Sequence, residues 1–452
     1  RRRLLFFTAC LPALIVLQLK ANVDPVTVGL DGPKAGLLGQ SVTFSASPTG
    51  GSSPYTYQWK IDSVDKGTDA TQEYTVPSGD SNAKKVTVTC TVTDSQSQSK
   101  AADMDFWQVK ITLGAIAFNH ATTSHNEDGL NIRENKTTAI NAPEYVNGGA
   151  NKPAAYVKNT SAKIAARFTV LPTDVTSLKI KATSSGCLGD LNETQVAVAN
   201  GVSQGSVSIG GTPYAAFSAS MATPGTISKD TFSWEWQVTA VNGNSIDAAT
   251  FGTSAGHTVY VLYDAPAAPW STAADNTLNP WADALEFAVT TMRADNCTAE
   301  DAVRMITASL FGQYGLTYDH VNGMPSYIEG VHFKLDDFMQ CRQSLIVNCV
   351  DIAAAQYVLG RMLGVNNVML RLSPFGYINP TCIVGMTSYC NNPFYLNSDY
   401  TNVPLARVDA VEPERSAFGM HAFNSYESTI YDGCCGPRTG TLTAQQYLNL
   451  VI

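Results

Sequence analysis

Residues 348–364, NCVDIAAAQYVLGRMLG, place apolar side chains at Ile352, Ala355, Tyr357, Val358, Leu359 and Met362. That spacing predicts a largely buried helix, and Gly364 supplies a left-handed stop after it. Residues 281–292 and 299–311 carry the same period, the second with Thr298 as N-cap and Glu300 and Asp301 in its first turn. Over the first 265 residues, period two dominates instead. VTFSASPTG, YTYQWKID, QEYTVPSG and KKVTVTCTVTDS predict a small all-β module over residues 22–110. KIAARFTVL, SLKIKAT, TQVAVAN, TFSWEWQVTAV and HTVYVLYD predict a second over residues 111–265. The Pro/Ala-rich run DAPAAPWSTAAD then reads as a linker, assigned to residues 266–279, ahead of an α+β region over 280–452. In that region 368–372 and 405–411 are strand candidates, and short β-like runs at 420–424 and 429–432 flank a turn.

Candidate chemistry concentrates in the last region. Cys349 falls where the 348–364 helix begins, and free N–H groups and the helix dipole favour negative charge there, as a nucleophilic sulfur requires. If Tyr426 and Glu427 form a two-residue hairpin loop, His421 and Asp432 are direct cross-strand neighbours, and the carboxylate can orient the imidazole. Nucleophile, base and base-orienting acid are the parts of thiol catalysis. Gln343, shortly before the cysteine, is a weaker candidate for the oxyanion site.

These residues carry a resemblance. Cys-x-Asp-x-Ala at 349–353, the Arg-x-Leu-Gly-Val segment at 361–365 and its following apolar strand, His421-Ala422-Phe423, and Tyr431-Asp432 resemble, in order, the landmarks of the transglutaminase-like superfamily of the papain-type fold. The family usually has Trp where this chain has Phe423, and the loop at 373–402 has no counterpart in the pattern. The resemblance covers residues 280–452 and implies a Cys349–His421–Asp432 triad acting on a protein or peptide substrate, with no cofactor. Residues 22–110, with Trp59 placed like a core tryptophan, resemble PKD or other Ig-like β-sandwich domains. The fold class expected is thus two all-β sandwich modules followed by an α+β transglutaminase-like domain.

At 452 residues the chain is too long for one ordinary core. Charged residues make up only 15% and the net charge is −9, which argues against nucleic acid or an anionic membrane as partner. Residues 1–21 resemble a secretory signal peptide, incomplete at its start, so a secreted or cell-surface protein is expected. Of the ten cysteines, Cys10 lies in that leader. With Cys349 free, an even eight remain for disulfides, Cys382–Cys390 being the best local pair. Sequons at Asn135, Asn159, Asn192 and Asn296 offer glycan sites. No Cys/His spacing resembles a zinc site, and His120, His125, Glu127 and Asp128 read as a solvated loop rather than a metal centre. Trp234 and Trp236 share one face of a strand. A core pair is the expected role, and an exposed pair that grips carbohydrate is the alternative.

The function expected is acyl transfer through a thioester on Cys349, by hydrolysis or cross-linking. The competing reading is a structural or adhesive surface protein, a filament or surface-layer subunit, whose C-terminal domain is catalytically inactive.

Overall fold

A computed structural model describes residues 24–452 except 121–126, 275, 342–344, 387–388, 395–416 and 437–438. The leader, His125, Gln343 and the strand expected at 405–411 therefore lie outside the described residues. The chain divides into two compact units at Gln108/Val109.

The first unit is a β-sandwich. Thr27–Asp31, Ser41–Thr49 and Thr71–Thr75 make one antiparallel sheet. The other runs from Val64–Gly67 through Thr56–Ile61 and Lys85–Thr93 to the first half of Ser99–Ala117. Alternation sends Phe44, Trp59, Val88 and Phe106 into one core, all fully buried. Trp59 stands opposite Cys90 in the ladder, and its indole N–H donates to the Asp69 carbonyl at 2.8 Å.

The second unit begins with β structure. Ser228–Val241 and Asn244–Leu262 form its longest hairpin, flanked by Ser177–Thr183 and Ala154–Val157. Trp234 and Trp236 are fully buried, with rings against each other and against Phe118, Phe168 and Phe217. They are core residues, so they offer no carbohydrate platform. His120 Nε2 contacts the Lys163 carbonyl and the Glu127 carboxylate pairs with Lys163, so neither is arranged as a metal ligand.

The C-terminal part is built around helix Cys349–Met362. Asn348 caps it by accepting from the amides of Val350 and Asp351, while the Asp351 carboxylate takes the Asn348 amide in return. Asp351 also binds the amides of Ser326 and Tyr327, both at 2.8 Å, which fixes the loop in front of the helix. Helix Ala299–Gly312, capped by Thr298 as expected, packs against it, as does the antiparallel sheet Val368–Leu372, His421–Tyr426, Thr429–Tyr431. Buried amides tie the layers together. Gln356 donates to Thr307 Oγ1 at 2.6 Å, and Asn424 donates to the Ala353 carbonyl at 2.8 Å.

Two expectations about organisation need correction. Residues 266–279 are not a free linker. The Ala267 amide donates to the carbonyl of Arg361 and the Trp270 indole to that of Val358, and just ahead of the segment the Tyr263 amide donates to that of Leu363. The segment is thereby docked on the C-terminal half of the helix. Nor do residues 111–265 and 280–452 have separate cores, because Leu130, Ile132, Ile227 and Leu262 pack into the same cluster as Ile306, Ile352 and Leu359.

Gly364 and Val365 close the helix in a Schellman arrangement, donating to the carbonyls of Arg361 and Gly360. Gly364 has φ +75°, and a Cβ there would lie 2.0 Å from the Asp264 carbonyl oxygen. Gly364→Ala is expected to cost more than the about 1–2 kcal/mol of a left-handed non-glycine residue alone. Urea unfolding of the full chain checks this, and a loss below that range would contradict it.

Candidate active site

Cys349 is the first residue of its helix and is buried. His421 opens the central strand of the adjoining sheet, opposite Leu372. The following hairpin differs in register from expectation. Tyr426 pairs with Thr429, so the loop is Glu427–Ser428, with φ of 47° and 69°. Both values fit a two-residue turn of the primed type, which closes the strands on their natural twist. This register puts Asn424 opposite Tyr431, and Asp432 falls just past the ladder rather than directly across from His421. The contact forms all the same, on the diagonal. His421 Nε2 and Asp432 Oδ2 are 2.9 Å apart, each side chain 1% exposed.

Asp432 is held from every side. Oδ2 also accepts from the Tyr447 hydroxyl at 2.7 Å, and Oδ1 accepts from the amides of Cys434 and Cys435 at 2.8 and 3.2 Å. The imidazole lies against Phe375 and Phe423, ring centroids 4.7 and 5.7 Å away. With Nε2 committed to Asp432, Nδ1 is the ring nitrogen left for Cys349, which is among the groups that raise the ring. Tyr318 is buried, and burial is the chief cause that drives its hydroxyl upward.

The electrostatics of the pair are set by burial against charge. Burial disfavours the Asp432 carboxylate, but His421 and the hydrogen bonds from Tyr447 and the Cys434 amide outweigh it and hold the group below the usual carboxylate range. Burial likewise opposes charge on His421, yet its neighbours raise it well above the ordinary imidazole value. Of those neighbours Asp432 is the effective one. Hydrogen bonding to Cys434 and burial push the Cys435 thiol far up, and burial lifts Cys434 to about 12, so both sulfurs are neutral near pH 7.

A pH dependence follows, with its sign fixed by the two directions. Asp432 stabilises the fold above its unfolded pKa of about 3.9, and this stability is lost as pH falls through its lower folded value. His421 stabilises below its unfolded pKa of about 6.5, and its share disappears only as pH rises through the higher folded value. Denaturant midpoints of the full chain are expected to fall on acidification below about pH 4, and that acid slope should flatten in Asp432→Asn. An equal slope in both proteins would contradict the assignment.

The expected disulfides are not present. All nine described cysteines are free. Cys382 stands opposite Tyr389 and Cys390 opposite Thr381, so alternation points the two thiols to opposite faces of their short ladder. Cys341 contacts the Tyr314 hydroxyl rather than Cys349.

The sequence reading brought Cys349, His421 and Asp432 together but missed three neighbours. Tyr447 had a usable signal, since Thr443-x-x-Gln446 is a capping box and marks helix Ala444–Val451. Cys435, with Sγ 3.4 Å from His421 Nε2, was visible only as half of a cysteine pair. Phe375, inside the loop that follows strand Val368–Leu372, had none. Among the described residues no helix is long and apolar enough to cross a membrane.

No protein-family model matches the chain, and no curated protein matches it. Among solved structures it is similar to the Clostridium thermocellum CbhA fibronectin(III)-like modules, at 10% identity and TM-score 0.25, over 52% of this chain and 93% of that one. It is also similar to Bacteroides ovatus SGBP-B of a mixed-linkage glucan utilization locus, in complex with a mixed-linkage heptasaccharide, at 10% identity and TM-score 0.14, over 50% of this chain and 42% of that one. Salmonella alpha-2-macroglobulin matches at 11% identity and TM-score 0.17, over 75% of this chain and 23% of that one. Similarity this low leaves the function to be argued from the site.

Proposed function

We propose that the chain is an exported thiol acyl-transfer enzyme of the transglutaminase-like, papain-type class, with Cys349 as nucleophile, His421 as base and Asp432 as the orienting carboxylate. The observation that carries this reading is the buried 2.9 Å His421–Asp432 hydrogen bond beside a cysteine at a helix N-terminus. The Cys349 sulfur, its proton already held by His421, attacks the carbonyl carbon of a peptide or glutamine amide. The C–N bond then breaks, and the imidazolium returns that proton to the departing amine. The thioester left on Cys349 goes to water or to an acceptor amine. The helix-start amide at Cys349 is suited to the oxyanion, with Gln343 as a candidate second donor.

A second reading has one observation in its favour. Cys349, His421 and Asp432 are 3%, 1% and 0% exposed, as in a folding unit of a structural or adhesive surface protein. Incorporation of a labelled primary amine into glutamine peptides, together with hydrolysis of the same peptides, separates the two. Turnover that depends on Cys349 supports the enzyme, and none across a broad peptide panel supports the scaffold.

A further inference from the structure

Cys434 and Cys435 have no part in that mechanism, yet both are buried beside it. A ligand atom of His421 and the sulfurs of Cys434 and Cys435 lie within 4.8 Å of one another. Cys435 Sγ is 3.4 Å from His421 Nε2 and 3.5 Å from Asp432 Oδ2. Bonds of about 2.0–2.1 Å to nitrogen, about 2.1 Å to oxygen and about 2.3 Å to sulfur, at tetrahedral angles, put nitrogen or oxygen roughly 3.6 Å from sulfur around one zinc ion. The two Cys435 separations are already close to that, and Cys434 Sγ lies within 4.8 Å of the other two ligand atoms. The 2.9 Å between His421 and Asp432 is shorter than the roughly 3.4 Å such an ion requires, so the pair must open slightly to admit it.

We propose that His421 Nε2, Cys434 Sγ and Cys435 Sγ form a site for one thiophilic divalent cation of the zinc type, with Asp432 Oδ2, 3.5 Å from Cys435 Sγ, moving in as fourth ligand. Two sulfurs, one imidazole and one carboxylate suit such an ion, while calcium and magnesium take oxygen ligands. The four side chains are supplied by one strand and the turn after its hairpin. The Cys434 and Cys435 amides and the Tyr447 hydroxyl already orient the carboxylate, as outer-shell groups do at metal sites. On ligation each thiol gives its proton to solvent. The bound ion takes His421 and Asp432 away from Cys349, so metal occupancy and thiol catalysis exclude one another. That inhibitory consequence rests on the proposed function, whereas the binding itself does not.

The test uses the full reduced chain. Zinc is titrated in competition with a chromogenic chelator, and cobalt replaces zinc for spectroscopy. Wild type and Cys349→Ala should each bind one ion with equal affinity, and Cys434→Ser and Cys435→Ser should bind roughly a hundredfold more weakly or worse. The cobalt form of the wild type should show thiolate charge transfer and a tetrahedral ligand field. One equivalent of zinc should abolish acyl transfer, and chelator should restore it. Wild type without stoichiometric binding, or serine variants that bind as tightly as wild type, would overturn the site. If the serine variants do not fold, a wild-type cobalt spectrum without thiolate charge transfer overturns it alone. Metal binding in a chain that transfers no acyl group contradicts the proposed function and leaves the metal site standing. Transfer insensitive to zinc in a chain that binds no metal does the reverse.

Discussion

Cys349→Ala is expected to abolish acyl transfer, by roughly 10⁴-fold or more, in a chain that still folds. The substitution removes one sulfur at the first position of a helix. Asn348 and Asp351 cap that helix through each other and through backbone amides, and none of those hydrogen bonds involves the thiol. Stability should therefore change little, within the about 1 kcal/mol typical of point variants. His421→Ala should be nearly as inactive, because it removes both the acceptor for the thiol proton and the donor to the leaving amine. Asp432→Asn should be milder in turnover, since an amide keeps most of the geometry while changing the field on the ring. Initial rates of amine incorporation and peptide hydrolysis, alongside denaturation curves, check the order. Wild-type rates in Cys349→Ala would remove that residue from the mechanism.

Asp432→Ala is expected to be the most destabilising change at the site, about 3–5 kcal/mol. Five hydrogen bonds end on this carboxylate, from His421, Tyr447, the Cys435 thiol and the amides of Cys434 and Cys435. All are buried, so none of the donors finds water in its place. Each stranded donor costs about 1–3 kcal/mol, more when charged, and His421 loses the partner that raises it. Asparagine keeps an acceptor for the two amides and the shape of the carboxylate, so Asp432→Asn should cost distinctly less. Urea midpoints for the two variants give the comparison. A loss under about 1 kcal/mol for Asp432→Ala would mean the cluster is hydrated and the buried-pair account is wrong.

The parts of this site that local physics determines were legible before any coordinates. Helix Cys349–Met362 followed from its apolar spacing and the Gly364 stop, and both cap positions, Asn348 and Thr298, are where short polar side chains satisfy first-turn amides. The hairpin was legible as a hairpin but not in register. Glu427 and Ser428 take left-handed φ without being Gly, Asn or Asp, so no turn residue marked the loop. His421 and Asp432 were paired correctly for an incomplete reason, because the contact depends on the turn at Asp432–Cys435 as much as on the ladder. What the sequence hid was tertiary. Residues 266–279 have a linker's composition yet dock on the Cys349 helix, and that contact exists only once the helix is beside them. The shared core of residues 111–265 and 280–452 was hidden for the same reason, since periodicity says which face is apolar but not what covers it. The Cys434–Cys435 pair read as disulfide material because spacing counts sulfurs without showing His421 Nε2 at 3.4 Å.

The central claim is that Cys349, and not Cys435, is the sulfur that His421 activates. The direct measurement is to trap the acyl intermediate with a slow acyl donor peptide at neutral pH, quench in acid and locate the adduct by peptide mass spectrometry. The account predicts a single thioester on Cys349, absent in His421→Ala and present in Cys435→Ser. An adduct on Cys435, or none on any cysteine in a chain shown to be folded and reduced, would contradict it.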